Sequence, residues 1–331
     1  MKVMMVGRGN KRNRTERYVR NAFESLGHEV RVHDDVKLSQ WIGKVLCGQT
    51  LRLRLRWWKP DLIYLAKASG LDAWLVRSFR LQYPTVMWYF DITEEVDQQI
   101  LKRAQQSDLF ITVSSGLSRK YKDAGVPKVW SLPQAFPPEI LNLSTSRRIP
   151  DAEVAFIGNN HGTESRNTFL RSVAEVYQLT LFGRGWSEFS GVCAVPDISV
   201  YNRDYVEVCR SSKIILAYPT RESYSGIRHY FSNRIWMTLG SGGFLMHKYH
   251  QGMEDYFHDG EHLVFFRDRR DALEKIDYYL QNPRERSRIA DTGREYVLGQ
   301  HTYRHRVLSL LTHLQHQGIL DRDLTITSNE R

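Results

Sequence analysis

The segment that begins at Ser232 joins polar side chains to the start of a predicted helix. Ser232, Asn233 and Arg234 precede the apolar run IWMTL, and Gly-Ser-Gly-Gly then separates this run from the strand-like FLMHK. The first N–H groups of a helix lack partners within it, and the helix dipole favours an anion there. Arg234 would add a charge-assisted hydrogen bond to a phosphate. We therefore predict a phosphate site at this helix start, with a simple N-cap as the alternative.

A second candidate phosphate contact follows the strand-like segment EVAFI. Gly158 and Asn159 come directly after it, and Arg166 lies in the helix-forming stretch SRNTFLRSVAEVY. A strand, a glycine-containing loop and a helix in this order let the backbone approach a phosphate closely. We predict that Arg166 contacts the second phosphate of a diphosphate. The alternative is that Gly158 only ends the strand.

Positive charge is concentrated in the first half of the chain. The net charge is +10, and residues 1–150 hold 25 Lys and Arg against 14 Asp and Glu, a net charge of +11. Such a surface favours an anionic partner, for example a nucleic acid, a phosphorylated glycan or a membrane surface. A basic face that is merely solvated is the alternative.

Two basic clusters stand out in this half. One contains Gly9, which we interpret as a turn that allows close approach, within a basic rim formed by Arg8, Lys11, Arg12 and Arg14. The other is LRLRLRWWK at 51–59, where arginines alternate with leucines before Trp57 and Trp58. Interleaved cations and aromatic rings suit phosphates and bases. The simpler alternative is a helix with its arginines in solvent and both tryptophans buried.

The elements that must position these residues indicate an α/β fold in two halves. Short apolar segments predict parallel strands, and the amphipathic segments between them predict helices. The predicted strands are KVMMVG, EVRVHD, PDLIYLAK, PTVMWYFD and SDLFITVSS, then EVAFIG, LTLFG, KIILAYP, GGFLMH and HLVFF. The polar stretch at 144–152 suits a hinge. We predict two Rossmann-like domains, 1–148 and 149–331, facing a central cleft, with a final helix at about 302–317 that packs back on the first.

Composition narrows the class of protein further. Hydrophobic residues make up 41% and charged residues 25% of the 331 positions, which is typical of a globular chain rather than a disordered one. The three cysteines lie far apart, so neither a disulfide framework nor a zinc framework is expected. No apolar run has the length of a membrane span or of a signal peptide, which leads us to expect a cytoplasmic protein without integral membrane association.

The second half also resembles a known family. The stretch SNRIWMTLGSGGFLMHKYHQGMEDYFHDGEHLVFF, followed by EKIDYYLQNPRERSRIADTGREYV and HTYRHRV, resembles the CgeB-like (spore-maturation-type) glycosyltransferases, among the glycosyl transferases group 1. VAFIGNNHGTESRNTFL and LTLFGRGW fit the same pattern, and the resemblance extends over about 58–310. It implies a GT-B fold with a nucleotide-sugar donor in the C-terminal domain and an acceptor in the N-terminal one. It also implies catalysis without a bound metal and without a cofactor.

The resemblance implies further donor contacts. Tyr201 would stack under the donor base, with a core tyrosine as the alternative. Glu254 would bind sugar or ribose hydroxyls, with a surface acid that has no ligand as the alternative. Many retaining GT-B enzymes carry two Glu separated by seven residues across the loop and helix that begin the phosphate site. Here the corresponding positions are His229 and Met237, so the ribose contact and the stereochemical outcome stay open. His229 would donate to a sugar hydroxyl or a phosphate.

The N-terminal half supplies the expected acceptor side. Asp91 ends the strand PTVMWYF, at the edge where open α/β sheets place their sites. It is our candidate base if the enzyme inverts configuration, and an acceptor contact if it retains it. The alternative is a cap on the next helix. Arg8 and Gly9 are assigned to acceptor binding.

These expectations describe a glycosyltransferase that moves a sugar from a nucleoside-diphosphate sugar to a hydroxyl of an anionic or polymeric acceptor. Two alternatives stay open at this point. One is a glycosyltransferase that modifies a hydroxylated base in DNA, which would explain the basic N-terminal half. The other is a non-catalytic protein that binds nucleotides or nucleic acid on the same fold.

Overall fold

The computed structural model describes residues 1–11, 14–145, 147–196 and 198–321. Arg12 of the predicted basic rim lies outside the described residues. The chain divides into two compact units. Of the described residues, the first contains Met1–Gln134 and 303–321, and the second contains Ala135–Thr302. The sequence predicts a boundary after residue 148, and these domain bounds, like the assignment of the acceptor and the donor to the two domains, stay a prediction.

Six parallel strands form the sheet of the first unit, in the order β2-β1-β3-β4-β5-β6. Helices cover both faces of such a sheet, so its inner strands are apolar without interruption, as LIYLA and TVMWY are. The strands are β1 (Lys2–Val6), β2 (Glu29–His33), β3 (Leu62–Ala66), β4 (Thr85–Tyr89), β5 (Leu109–Thr112) and β6 (Val129–Ser131). The helices between them are α1 (Thr15–Ser25), α2 (Asp35–Trp58), α3 (Ala73–Arg80), α4 (Gln98–Ala104) and α5 (Ser115–Asp123).

The second unit repeats the architecture with five parallel strands, in the order β11-β10-β9-β7-β8. The strands are β7 (Ala152–Ile157), β8 (Leu179–Phe182), β9 (Ser212–Ala217), β10 (Leu245–Lys248) and β11 (Val264–Phe266). The helices are α6 (Glu164–Ala174), α7 (Arg203–Ser211), α8 (Asn233–Gly240), α9 (Arg269–Gln281) and α10 (Pro283–Gln300). The predicted α/β class with parallel sheets is confirmed in both units.

The last helix, α11 (Tyr303–His316), belongs to the first unit although it follows the second in sequence. Its first residue, Tyr303, stacks on Tyr18 of α1 with ring centroids 5.7 Å apart. Arg306 is buried, and its Nε donates to the carbonyl oxygen of Pro133 at 2.9 Å. These contacts fix the end of the described chain to α1 and to the loop after β6.

The arginine-rich stretch at 51–58 forms the end of α2, although its alternation of leucine and arginine is also typical of a strand. Leu51, Leu55 and Trp58 recur at helical spacing and are buried, so this stripe outweighs the two-residue alternation of the arginines. Trp58 is buried as the simpler interpretation required. Trp57 is 76% exposed, so the prediction that both tryptophans are buried was wrong for Trp57.

Histidine burial predicts how the first unit responds to acid. Burial lowers the pKa of His33 to about 4, whereas burial raises the pKa of the neighbouring Asp35 to about 6. In the unfolded chain His33 binds a proton from about pH 6.5 downward, whereas in the folded protein it does so only near pH 4. The free energy of unfolding therefore falls by up to about 3 kcal/mol as the pH falls to 4. Asp35 acts in the opposite direction, since its carboxyl group binds a proton more readily in the folded state.

We therefore expect His33→Leu to flatten the fall of melting temperature between pH 6.5 and 4, and Asp35→Asn to steepen it. Thermal unfolding of both variants and of the wild type across this range measures the slopes. Three parallel curves would show that neither group titrates in the way that its burial indicates.

Candidate functional site

Arg234 lies in the first turn of α8 and faces the end of β7. The Ser232 hydroxyl accepts from the Arg234 backbone N–H at 3.3 Å, so Ser232 caps the helix as the simpler interpretation required. The Arg234 guanidinium lies 4.6 Å from the centroid of the Phe156 ring. A Cβ atom built on Gly158 would come within 2.5 Å of the guanidinium nitrogen Nη2. Glycine at position 158 is therefore what lets the guanidinium lie against the backbone after β7.

Arg166 reaches the same place from α6. It is only 1% exposed, and its guanidinium lies 5.5 Å from the centroid of Phe156 and 5.4 Å from that of Trp186. Its Nη2 donates to the backbone oxygen of Asn159 and to Oδ1 of Asn160, each at 3.3 Å. Burial, and then the positive charge of Arg234, lower the pKa of Arg166 to about 10. The structure thus brings together the two arginines that the sequence assigned to a diphosphate.

The loop after β7 is held in a fixed shape. Trp186 Nε1 donates to the backbone oxygen of Gly158 at 2.8 Å, and the Asn159 side chain accepts from the backbone N–H of Arg184 at 3.0 Å. Gly183, at the end of β8, packs directly on Gly158, because a Cβ atom at 183 would lie 2.3 Å from the Gly158 oxygen. Two neighbouring strand ends therefore meet with almost no space between their backbones.

The two guanidiniums have no acidic partner among the described residues. Arg234 is the cation that acts on Arg166, and the other titratable neighbours of the two guanidiniums are Tyr205 and Tyr230. Burial raises the pKa of both phenols, so neither supplies a negative charge. Burial lowers the pKa of Arg234 as well. In the part of the chain that the structure describes, Nε of Arg166 and Oδ1 of Asn233 are buried without a hydrogen-bond partner. Two adjacent cations, one of them with an unpaired Nε donor, form a site that an anion would complete, whereas the unpaired oxygen of Asn233 needs a donor.

His229 lies just before α8. Its ring is held by Asp255 and Arg228, which were not predicted as site residues. Its Nε2 is 2.7 Å from Oδ2 of Asp255, and Arg228 Nη2 donates to the same oxygen at 2.7 Å. These hydrogen bonds hold the pKa of Asp255 below its usual value. His229 has a φ of 56°, which is uncommon for a residue with a side chain. Only the fold brings Asp255 to His229, and sequence spacing alone carries no signal for this pair.

The other predicted donor contacts occupy different environments. Glu254 is exposed, and its Oε2 accepts from the backbone N–H of Gly252 at 3.0 Å. Tyr201 is 49% exposed just before α7, so the alternative of a core tyrosine is wrong. Met237 is buried within α8.

In the first unit, Asp91 follows β4 as expected. Its carboxylate is exposed and forms an ion pair with the ammonium group of Lys67, which follows β3. Asp97, not Asp91, caps α4, because its Oδ1 accepts from the backbone N–H of Gln99 at 2.8 Å. The alternative role of Asp91 as a helix cap is therefore wrong. Lys67 was not predicted as a site residue, although a cation that directly follows the strand-like LIYLA indicates a charge at this edge of the sheet.

The predicted glycine turn after β1 has a packing reason. Gly9 is buried, and a Cβ atom there would lie 2.6 Å from the sulfur of Met5 and 3.2 Å from Val32. Arg8 is half-buried beside it. The small residue thus brings this loop close to the ends of β1 and β2.

One group of described residues has the composition of a metal site. The possible ligand atoms of His258, Glu261 and His262 lie within 4.8 Å of one another. However, His262 Nδ1 accepts from the backbone N–H of His258 at 3.2 Å, which leaves the proton of a neutral ring on Nε2, the atom nearest Glu261. The three side chains are therefore arranged to satisfy one another. Among the described residues, no helix is both long and apolar enough to span a membrane.

Part of the chain matches a known family. Residues 166–312, less than half of the chain, match the family described as Glycosyl transferase-like. The matched region begins at Arg166 and includes all of α8. No curated protein sequence matches the chain.

Solved structures resemble nearly the whole chain. A glycosyltransferase from Rickettsia africae ESF-5 is 10% identical, with coverage of 97% of this chain and 99% of that one and a TM-score of 0.68. Sucrose-phosphate synthase (tll1590) from Thermosynechococcus elongatus is 12% identical, with coverage of 96% and 99% and a TM-score of 0.67. Anabaena Alr3699/HepE, in complex with UDP-glucose, is 12% identical, with coverage of 96% and 100% and a TM-score of 0.66. At these identities the likeness shows the fold, which is of the GT-B type.

Proposed function

We propose that this chain, which the family match and the GT-B fold relate to the group 1-like glycosyltransferases, transfers a sugar from a nucleoside-diphosphate sugar to a hydroxyl acceptor. The observation that carries the proposal is the pair of guanidiniums of Arg166 and Arg234 beside the Gly158 backbone. A core gains nothing from two adjacent buried cations, because each raises the cost of burying the other. The negative charge of a bound diphosphate would offset that cost, because it attracts both guanidiniums.

In this proposal the diphosphate lies between Arg166, Arg234 and the first turn of α8. The helix start offers N–H groups and the positive end of the dipole, with Ser232 and Asn233 at its rim. When the sugar departs, negative charge grows on the terminal phosphate oxygen. Both guanidiniums then bind more strongly than in the ground state, which lowers the barrier to departure. The protein's own cations take the part that a metal ion plays in other transferases, so we propose a metal-independent reaction.

The assignments of subtype, donor and donor contacts rest on sequence motifs and on the similar solved structures. We assign the chain to the CgeB-like subtype from the run SNRIWMTLGSGGFLMHKY and the motifs around it. The donor is placed in the C-terminal domain and the acceptor in the basic N-terminal one. HepE was solved with UDP-glucose, with UDP, and with UDP and glucose, so UDP-sugars, hexosyl donors first, are the donors to test first. Tyr201 and Glu254 are proposed contacts to the donor base and to sugar hydroxyls, with the Gly158 and Asn159 backbone at the diphosphate.

We place Asp91 and His229 in the reaction itself. Asp91 is the proposed base, or the acceptor contact if configuration is retained, and Arg8 and Gly9 are further proposed acceptor contacts. His229 is proposed to contact the transferred sugar through Nδ1, since Nε2 donates to Asp255, which fixes the ring, and the backbone is strained. Nδ1 donates to a sugar oxygen when the ring is protonated and accepts from a sugar hydroxyl when it is neutral.

Asp91→Asn and His229→Asn should each lower kcat by about a hundredfold or more, because a positioned proton acceptor or donor contributes about that much. Nucleotide affinity should stay unchanged, since neither side chain is assigned to the diphosphate. Steady-state donor turnover with Asp123→Asn, an exposed acid, as the control separates the two effects. A kcat equal to that of the control would remove the tested residue from the reaction.

The function itself is tested by thermal unfolding with UDP, GDP, ADP, CDP and TDP. A ligand at a hundred times its dissociation constant adds about 2.7 kcal/mol. That corresponds to a rise of several degrees in melting temperature for a chain of this size. We expect one base to give such a shift and the corresponding nucleotide sugar to be consumed. If no nucleotide shifts the transition at millimolar concentration, the proposed donor site is wrong.

A further inference from the structure

Helix α2 has a second apolar face that the described residues leave in solvent. Its buried face, with Cys47, Leu51, Leu55 and Trp58, packs into the core of the first unit. Other large apolar side chains of the same helix are exposed, with values from 38% for Ile42 to 76% for Trp57. They are Trp41, Ile42, Val45, Leu46, Leu53 and Trp57. We call these six residues the α2 apolar face.

Helical geometry gathers most of this face into one strip. At about 100° per residue, positions 45, 46, 53 and 57 fall within roughly a third of the helix circumference, away from the buried face. Trp41 and Ile42 come before a break at Gly43, whose φ is 77°. A surface helix normally places polar residues opposite its buried stripe, so an apolar strip in that position indicates a partner.

Cations accompany the exposed rings. Lys37 Nζ lies 4.8 Å from the ring centroid of Trp41, and the Arg52 guanidinium lies 5.2 Å from that of Trp74 on α3. The helix carries five Lys and Arg, and its one acid, Asp35, is buried. Lys44 also pairs with Asp72, so part of the charge is balanced locally.

A basic groove borders the apolar face at the C-terminal end of α2. Its volume is about 730 Å³. Arg52, Arg56 and Lys59 line it, with Ser78 and Gln82 as polar neighbours and no acidic residue among its lining. A groove with three cations and polar donors matches a phosphate group, and here it adjoins an exposed aliphatic strip.

We propose that the α2 apolar face, with its basic groove, docks on the surface of an anionic lipid bilayer. The apolar side chains would insert at the level of the headgroups, and the cations would contact lipid phosphates. This interaction goes beyond the proposed sugar transfer and does not depend on it.

Two other partners fit the surface less well. Nucleic acid would use the arginines and the tryptophans, but Ile42, Val45, Leu46 and Leu53 have no flat face on which a base can stack. A second copy of the chain would bury the apolar strip, but a two-fold interface would bring the same cations face to face. A lipid surface accommodates both the aliphatic and the cationic groups.

Cosedimentation with vesicles tests the proposal on the full chain. Vesicles of equal parts phosphatidylglycerol and phosphatidylcholine should bind the protein, and vesicles of phosphatidylcholine alone should bind it at least roughly tenfold more weakly. Trp41→Ser/Leu46→Ser/Trp57→Ser should reduce binding roughly tenfold or more. Arg52→Ala/Arg56→Ala should cost roughly fivefold per arginine, an effect that disappears in about 1 M salt, where charges are screened beyond about 3 Å.

Matched variants on other surfaces control for lost charge and lost apolar area. Leu143→Ser/Val176→Ser/Val192→Ser removes exposed apolar residues of the second unit, and Arg269→Ala/Arg270→Ala removes exposed arginines of α9. Both should bind vesicles as the wild type does. Equal loss in the controls, absence of vesicle binding, a dimer that the α2 variants dissociate, or DNA binding in place of vesicle binding would each overturn the proposal.

Discussion

Arg234→Ala should reduce kcat/KM for the nucleotide sugar by about a hundred- to a thousandfold. This is the usual cost of removing one preorganised donor from a developing anion. Arg234 faces the Gly158 backbone without an acidic partner among the described residues, so its charge is available to a ligand. The folded state should not suffer, because the substitution removes a charge whose pKa burial already lowers. Steady-state kinetics with the donor found by thermal shift measures the effect.

Comparison variants make this result specific. Arg234→Lys keeps the positive charge but lacks the planar guanidinium, which can donate two parallel hydrogen bonds. We therefore expect its loss of kcat/KM to lie between that of the control and that of Arg234→Ala. Arg166→Ala should resemble Arg234→Ala, and the double variant should lose less than the product of the two, since both contact one diphosphate. Arg270→Ala, an exposed arginine of α9, is the control and should stay within about threefold of wild type. Activity in Arg234→Ala equal to that of this control would contradict the assigned role.

Gly183→Ala should destabilise the second unit by about 3 kcal/mol or more. The added Cβ atom would lie 2.3 Å from the backbone oxygen and 2.6 Å from the carbonyl carbon of Gly158, and neither atom can move without displacing the end of β7. The φ of 130° at Gly183 adds strain for any residue with a side chain. We expect a fall in melting temperature of roughly 6–12 °C, measured by differential scanning calorimetry.

Gly158→Ala separates packing from binding. Its Cβ atom would meet side chains rather than backbone, at 2.5 Å from Nη2 of Arg234 and 3.2 Å from the ring of Phe156, at a φ of 159°. We therefore expect a smaller loss of stability than in Gly183→Ala, but a loss of nucleotide affinity approaching that of Arg234→Ala. Gly226→Ala has no atom within 4 Å of the new Cβ and serves as the control for both. A Gly183→Ala protein as stable as Gly226→Ala would refute the close packing of the two strand ends.

Much of the fold follows from local patterns in the sequence. Uninterrupted apolar runs such as LIYLA predict strands buried on both faces, and β3 is one. The change from polar Ser232 to the apolar run after Arg234 predicts a helix start, and α8 begins at Asn233 with Ser232 as its cap. These signals are local, so they can be recognised without knowing which elements pack on the strand or helix.

Residues brought together by the fold could not be found in this way. Asp255 meets His229 across 26 positions, and Gly183 meets Gly158 across the gap between two strands. Neither pair has a spacing that a single helix or strand imposes. The exposure of Trp57 is a similar case: residues 57 and 58 are adjacent, but only Trp58 continues the stripe of Leu51 and Leu55. Which of two neighbouring rings is buried depends on the face that packs.

Isothermal titration of a nucleoside diphosphate and of its parent nucleoside tests the central claim most directly. The nucleotide is the one that thermal shift selects, and the proteins are the wild type and Arg166→Ala/Arg234→Ala. We predict that the wild type binds the diphosphate at least roughly a hundredfold more tightly than the nucleoside, since charge-assisted hydrogen bonds contribute about 1.5–3 kcal/mol each. This preference should fall by at least roughly tenfold in the double variant, which keeps only the N–H groups at the helix start and in the loop after β7, while nucleoside binding is unchanged. A preference for the diphosphate that is undiminished by the loss of both arginines would show that they do not hold it.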